Sequence, residues 1–230
     1  MVVERLLGSC EVATIPDDRS LRGQLRHVRW LGGATGAGKS TVARHLAEAH
    51  GLRPYSSDAA IRDHARRSTR ADHPLLHAFL AMDMDERWLN RSPDVMLETF
   101  HGFQGEGFEL ILEDLLALPA GPPILAEGFR LLPRLVAPLL SGSDQAVWLI
   151  PTPDFRRAAF DARGFTWEIP NRTSDPERAL ANLLARDRRF TNIVAREASA
   201  LQLHVIEVHV GVTVDALAER VGKALGLETR

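Results

Sequence analysis

Ten residues, "GGATGAGKST" at 32–41, bring four glycines, one lysine and two adjacent hydroxyls together directly after the apolar run "VRWL". Within them, Gly33 to Ser40 satisfy G-x-x-x-x-G-K-[ST], with a strand-like segment before and an amphipathic helical pattern after. Gly33, Gly36 and Gly38 permit backbone angles and close approach that a Cβ forbids. With Ala34, Thr35 and Ala37 between them, they free successive amides to turn inward as an anion nest at the positive end of the next helix. Lys39 is spaced to reach β- and γ-phosphates, Ser40 to ligate Mg²⁺ through its hydroxyl, and Thr41 to bond the α-phosphate. The segment reads as the cradle of a nucleoside triphosphate.

Two carboxylates stand at matching places farther on. Asp58, in "YSSDAAIR" (55–62), follows one short apolar run, and Glu127 closes another, "PPILAE" (122–127), just before Gly128. At the carboxyl edge of an α/β sheet such groups face the ligand crevice. Each also has a plainer use: Asp58 as a helix N-cap, Glu127 pairing with a helix N-terminus. A GTPase carries Asp-x-x-Gly at the third strand and a later Asn-Lys-x-Asp; the third run here ends Ala126-Glu127-Gly128 instead, and no Asn-Lys-x-Asp follows.

These segments resemble the P-loop small-molecule kinases, a group that includes 2-phosphoglycerate, shikimate and gluconate kinases, chloramphenicol phosphotransferase, polynucleotide kinase and zeta-toxin-like proteins. "YSSDAAIR" is similar to their strand–S/T–D–x–x–R segment, with Arg62 four positions after Asp58, one more than in several relatives. The resemblance implies that Asp58 orients or deprotonates an accepting hydroxyl and that Arg62 holds the acceptor. "ILAEGFRLLP" (124–133) resembles the EG-x-x-x-x-P segment of 2-phosphoglycerate kinase-like proteins, implying that Glu127 binds the acceptor or a magnesium-held water. "NRTSDPERALANLLARDRRFTNIVAREA" (171–198) is similar to the lid and following helix of shikimate and gluconate kinases. There Arg172 matches a lid arginine, and Arg186 with Phe190 matches an R-x-x-x-[FY] segment. Arginine suits both places because its fixed charge and forked donors follow charge spreading over a moving phosphoryl group.

The elements that must position these groups follow from periodicity. "HVRWL" (27–31), "RPYSS" (53–57), "PPILAE", "AVWLI" (146–150) and "LHVIEV" (203–208) read as short buried strands, although Arg29 interrupts the first. Between them lie helical patterns at 39–50, which stops at Gly51, and at 92–100, with Ser92 as N-cap and Pro93 behind it. A long helix starts at Asp175-Pro176, and another closes the chain over 212–226. The glycines of "GFQGEG" predict a break or a close contact within the apolar pattern running on to Leu115. Alternation of strands and helices predicts α/β architecture with a parallel sheet; the resemblance implies a P-loop NTPase three-layer sandwich whose five-stranded parallel sheet has the order 2-3-1-4-5. One domain over 1–230 is expected, with a helical acceptor-binding insert at 63–118 and a lid at 154–175.

Apolar residues make up 45% of the 230 residues and charged residues 25%, an ordinary globular composition. A net charge of −2 gives no electrostatic reason to expect nucleic acid or an anionic membrane as partner. Cys10 is the only cysteine, which excludes an intramolecular disulfide, and the start "MVVERLLGSC" does not read as a signal peptide; the expectation is a cytoplasmic protein. The expected activity is ATP- and Mg²⁺-dependent transfer of the γ-phosphoryl to a hydroxyl of a small metabolite or antibiotic-like acceptor. The alternative is an ATP-binding regulatory or toxin-like protein acting on a macromolecule. The insert supplies Arg87, Trp88, Arg91, His101 and Glu106, a mixture that suits a polar acceptor and an ordinary helical cap equally.

Overall fold

A computed structural model describes residues 18–163 and 168–227; Cys10 and residues 164–167 of the expected lid lie outside them. Strands β1 (Val28–Gly33), β2 (Arg53–Ser56), β3 (Ile124–Glu127), β4 (Ala146–Pro151) and β5 (His204–Val208) form one all-parallel sheet. Its order is β2-β3-β1-β4-β5, the order expected from the sequence.

The three central strands are buried on both faces, which is why they read as continuous apolar runs rather than alternating ones. Side chains nevertheless alternate between two cores. Val28, Trp30, Ile124, Ala126, Ala146 and Trp148 point to one, while Leu31, Leu125, Val147 and Leu149 point to the other. Helices α1 (Asp18–Gln24) and α2 (Lys39–His50) flank β1 in the chain. Arg29 escapes the core: its Nε donates to the Leu225 carbonyl and its Nη1 to that of Arg26.

Between β2 and β3 lies a run of short helices: α3 (Ile61–Arg67), α4 (Pro74–Ala81), α5 (Met84–Trp88), α6 (Pro93–Thr99), α7 (His101–Gln104) and α8 (Phe108–Ala117). Ser92 caps α6 by accepting from the Val95 amide. The expected break falls between α7 and α8, where Gly105 and Gly107 take positive φ. After β3 come α9 (Pro133–Val136), α10 (Pro153–Arg163) and α11 (Glu168–Asn171), then α12 (Pro176–Ala200) and α13 (Val214–Ala224). Asp175 caps α12 by accepting from the Arg178 amide, as the Asp-Pro pair predicts. Among the described residues, no helix is long and apolar enough to cross a membrane.

The longest helix, α12, meets the insert through Asn182, which donates to the Leu89 carbonyl, through the Arg189–Asp94 ion pair and through a stacked aromatic pair. Phe190 is buried and its ring stacks on Phe103 with centroids 3.7 Å apart at 13°. Phe190→Ala should therefore destabilise the protein by about 3–5 kcal/mol through loss of buried area and the cavity left behind. Urea unfolding checks this; a change below about 1 kcal/mol would show that α12 is held elsewhere.

Candidate active site

Every group singled out in the glycine-rich motif sits at the carboxyl edge of the sheet, where open α/β folds bind ligands. Residues 34–38 link β1 to α2, with Gly36 and Gly38 in left-handed conformations at φ 73° and 83°. Helix α2 opens at Lys39 with no acidic residue in its first turn and no side chain capping it. Its first amides, unpaired within any helix, are left available to an anion. The Lys39 ammonium is buried and donates to the carbonyls of Gly33 at 3.1 Å and Ala34 at 2.8 Å. Burial pulls its pKa below the ordinary lysine value, while the charges of Asp58 and Glu127 oppose that shift.

Two carboxylates complete this wall. Glu127 is buried at the end of β3 and accepts from the Ser40 hydroxyl at 3.1 Å. Asp58 follows β2, and its Oδ1 accepts from the Ser57 hydroxyl at 3.2 Å and the Phe129 amide at 3.3 Å. It does not cap α3, whose preceding residue is Ala60. Burial raises its pKa to about 6; Lys39 opposes the rise and Glu127 reinforces it. Gly128 makes room for this arrangement. It has φ 146°, and a Cβ there would lie 2.7 Å from Asp58 Oδ1 and collide with the Ser57 hydroxyl.

Behind Asp58 a buried arginine fixes the strand end. Arg130 Nη1 meets the Ser57 carbonyl at 3.1 Å and His64 Nδ1 at 2.8 Å, while Nη2 donates to the Gly107 carbonyl at 2.9 Å. His64 in turn meets Asp114 at 2.8 Å, which also accepts from the Tyr55 hydroxyl at 2.7 Å. The insert is thus wired to the backbone next to Asp58. Sequence reasoning passed over Arg130 because one arginine after a strand carries no periodic signal.

Helix α12 brings the opposite wall. Arg186 is buried; its Nε and Nη2 donate to Asp187 Oδ1 at 2.9 and 2.6 Å, and its guanidinium lies 5.0 Å from the Trp88 ring centroid. Asp187 Oδ2 accepts from the Thr35 hydroxyl at 2.5 Å, tying α12 directly to the glycine-rich loop. Arg156 of α10 is also buried. Its Nη2 donates to Thr191 at 2.5 Å, and its Nη1 has no partner among the described residues. Asp187 and Arg156 were not among the expected site residues. Asp187 adjoins Arg186 in a highly charged run, where sequence alone does not separate a buried carboxylate from a solvated one.

Residues 35–41, Asp58, Arg186 and Asp187 line one cavity of about 370 Å³, with Phe79, Trp88, Phe100, His101 and Phe129 of the insert and the following β3 segment. The other arginines lie elsewhere. Arg62 is exposed on α3 and is not part of this wall. Arg172 is exposed just before α12, close enough to Arg87 to depress its pKa, burial being the larger cause.

No protein-family model matches the sequence, and no curated protein matches it. Among solved structures, the chain is similar to a shikimate kinase from Acinetobacter baumannii in complex with shikimate. That match has 17% identity and a TM-score of 0.45, covering 93% of this chain and 99% of that one. It is also similar to an uncharacterized protein from Eubacterium ventriosum, at 14% identity and TM-score 0.43, covering 87% and 98% respectively.

Asp58 also leaves a signature in stability. Because its pKa is raised on folding, stability is greatest where the group is protonated in both states and declines as pH climbs through about 6. Asp58→Asn removes that ionisation cost. The variant should gain about 2–3 kcal/mol over the parent at pH 7, with the gain fading as pH approaches 4. Denaturant titrations at several pH values test this; an equal offset at every pH would contradict it.

Proposed function

We propose that this chain is a phosphotransferase that moves the γ-phosphoryl group of ATP to a hydroxyl of a small acceptor. One observation carries the reading: the buried Lys39 ammonium and the Asp58 carboxylate face one cavity, whose wall includes the open N-terminus of α2. A cradle alone binds a nucleotide; a carboxylate with raised pKa across from it supplies a base for a second reactant.

In this mechanism residues 33–41 hold the triphosphate and Lys39 shifts from its own backbone carbonyls to the β- and γ-oxygens. Asp58, ionised at neutral pH, accepts the proton of the attacking hydroxyl. A new oxygen–phosphorus bond forms as the bond from the γ-phosphorus to the β-bridging oxygen breaks, and ADP departs. Arg186 and the Nη1 of Arg156, which has no hydrogen-bond partner among the described residues, provide positive charge toward the transferring group; Arg172, exposed and outside the cavity wall, is given no part. The Ser40 hydroxyl and Glu127 carboxylate form a hard oxygen pair suited to Mg²⁺, directly or through water. Bound Mg²⁺ would offset charge on the β- and γ-oxygens. Arg62, outside the cavity wall, is given no part in transfer.

Lys39→Ala should abolish ATP binding measured by calorimetry. Asp58→Asn should keep binding within a few-fold but lower turnover by about 10²–10⁴. In the parent protein, kcat/KM should fall about tenfold per pH unit below about 6, where Asp58 becomes protonated. Undiminished turnover in Asp58→Asn would remove the proposed base. Turnover that appears only with a macromolecular partner would favour a regulatory or toxin-like role instead.

A further inference from the structure

The acceptor half of the cavity is built from aromatic rings, and its charged neighbours are already committed. Phe79 meets Trp88 edge-on at 5.5 Å and Phe100 at 5.0 Å, and Phe100 lies 5.7 Å from Phe129. Arg87 and Arg91 of the insert turn to the protein. Arg87 donates to the Leu80 carbonyl at 2.8 Å and rests over Phe79, while Arg91 holds the Glu86 and Arg87 carbonyls and the Thr99 hydroxyl. Glu106 accepts from the Leu75 and Leu76 amides. Arg186 is bonded to Asp187 and covered by rings on its face.

Beside these rings the cavity's polar lining is Asp58, His101 and Arg186, whose guanidinium already has Asp187 as its counter-ion. His101 is 1% exposed and its Nδ1 has no hydrogen-bond partner among the described residues. Burial, with Arg130, His73 and His64 nearby, pushes its pKa down to about 3, so it stands as a neutral donor or acceptor. An acidic acceptor would lose its hydration here without gaining a free counter-ion, whereas a ring would gain edge and face contacts.

We infer that the inner part of this cavity takes an uncharged aromatic alcohol, its ring among Phe79, Trp88, Phe100 and Phe129 and its hydroxyl at Asp58. His101 would hydrogen-bond one further neutral polar substituent. The inference rests on the phosphotransfer reading for the fate of that hydroxyl, which would leave as a phosphate monoester with its proton on Asp58. The ring's binding does not depend on that reading.

Two measurements on the full chain separate the claims. Saturation-transfer NMR detects binding of benzyl alcohol, 2-phenylethanol and 4-(hydroxymethyl)benzamide, with shikimate and gluconate as charged comparisons. Phosphorus NMR and coupled ADP release, with Mg·ATP, detect transfer to the same compounds. The expected result is saturable binding of the aryl alcohols, tighter for the benzamide, with ester formation and little response to the acids. Phe79→Leu should weaken aryl binding about three- to tenfold, and Phe129→Leu provides the same test if that variant does not fold. His101→Ala should erase the benzamide's advantage over benzyl alcohol. Aryl binding without transfer to any acceptor would support the ligand class and sink the phosphotransferase reading. Transfer to shikimate or gluconate with aryl alcohols inert would do the reverse. Absence of aryl binding at millimolar concentration overturns the inference.

Discussion

Six ionisable groups at the carboxyl edge of one sheet set the terms for the rest of the molecule. Lys39, Arg156 and Arg186 are buried there, as are Glu127 and Asp187, with Asp58 half-buried beside them. A charge taken out of water costs several kcal/mol unless partners replace its hydration. The replacement is partial. Arg186 has Asp187, and Glu127 has the Ser40 hydroxyl; among the described residues, Arg156 Nη1 has no hydrogen-bond partner and Lys39 bonds only to backbone carbonyls. Cations partnered this loosely would suit the polyanion proposed above, and the unpaired amides at the start of α2 add to the same field.

Holding such a cluster requires a stiff surround, and two devices supply it. The β strands that deliver Lys39, Asp58 and Glu127 are adjacent, in the spatial order β2-β3-β1, so their carboxyl ends move together. On the other side, α12 reaches the loop through Thr35–Asp187 and the insert through Phe190–Phe103. Any shift of α12 must therefore alter both the loop and the aromatic wall. Asp58 is held less comfortably: its raised pKa means that the charge needed at neutral pH is carried against the preference of its surroundings. Stability surrendered at a residue of this kind is common where reactivity is required.

Much of this was legible in the sequence because it is written in local signals. Strand edges, the Gly51 stop, the Ser92 and Asp175 caps and the break at Gly105–Gly107 each depend on a few neighbouring residues. Strand order followed from the resemblance carried by the motifs, and the sheet has that order. What stayed hidden depends on tertiary partners. Asp187 looks like one more charge in "ARDRRF" until α12 is laid against Thr35. Arg130 is unremarkable until its guanidinium is seen spanning Ser57, His64 and Gly107. The insert was the least readable region. Its charges and rings alternate without period, and only packing shows that Arg87, Arg91 and Glu106 face protein while Trp88 and His101 face the cavity.

The position of Lys39 bears on how tightly any anion can be held. Its ammonium already satisfies two carbonyls of its own loop, so a triphosphate placed there would not meet a bare cation; it would exchange two neutral acceptors for charged oxygens. The net gain is the difference between those hydrogen bonds: the ammonium's charge assists both sets, and only the phosphate oxygens add an opposite charge. The depressed pKa of Lys39 enlarges that difference, since a phosphate restores stabilisation that burial removed. The contacts that close the loop on itself therefore serve as a placeholder, keeping Lys39 ordered and aimed. The Thr35–Asp187 bond holds the mouth of the same loop to α12, so exchange at Lys39 can be felt along α12 at Arg186 without any longer path.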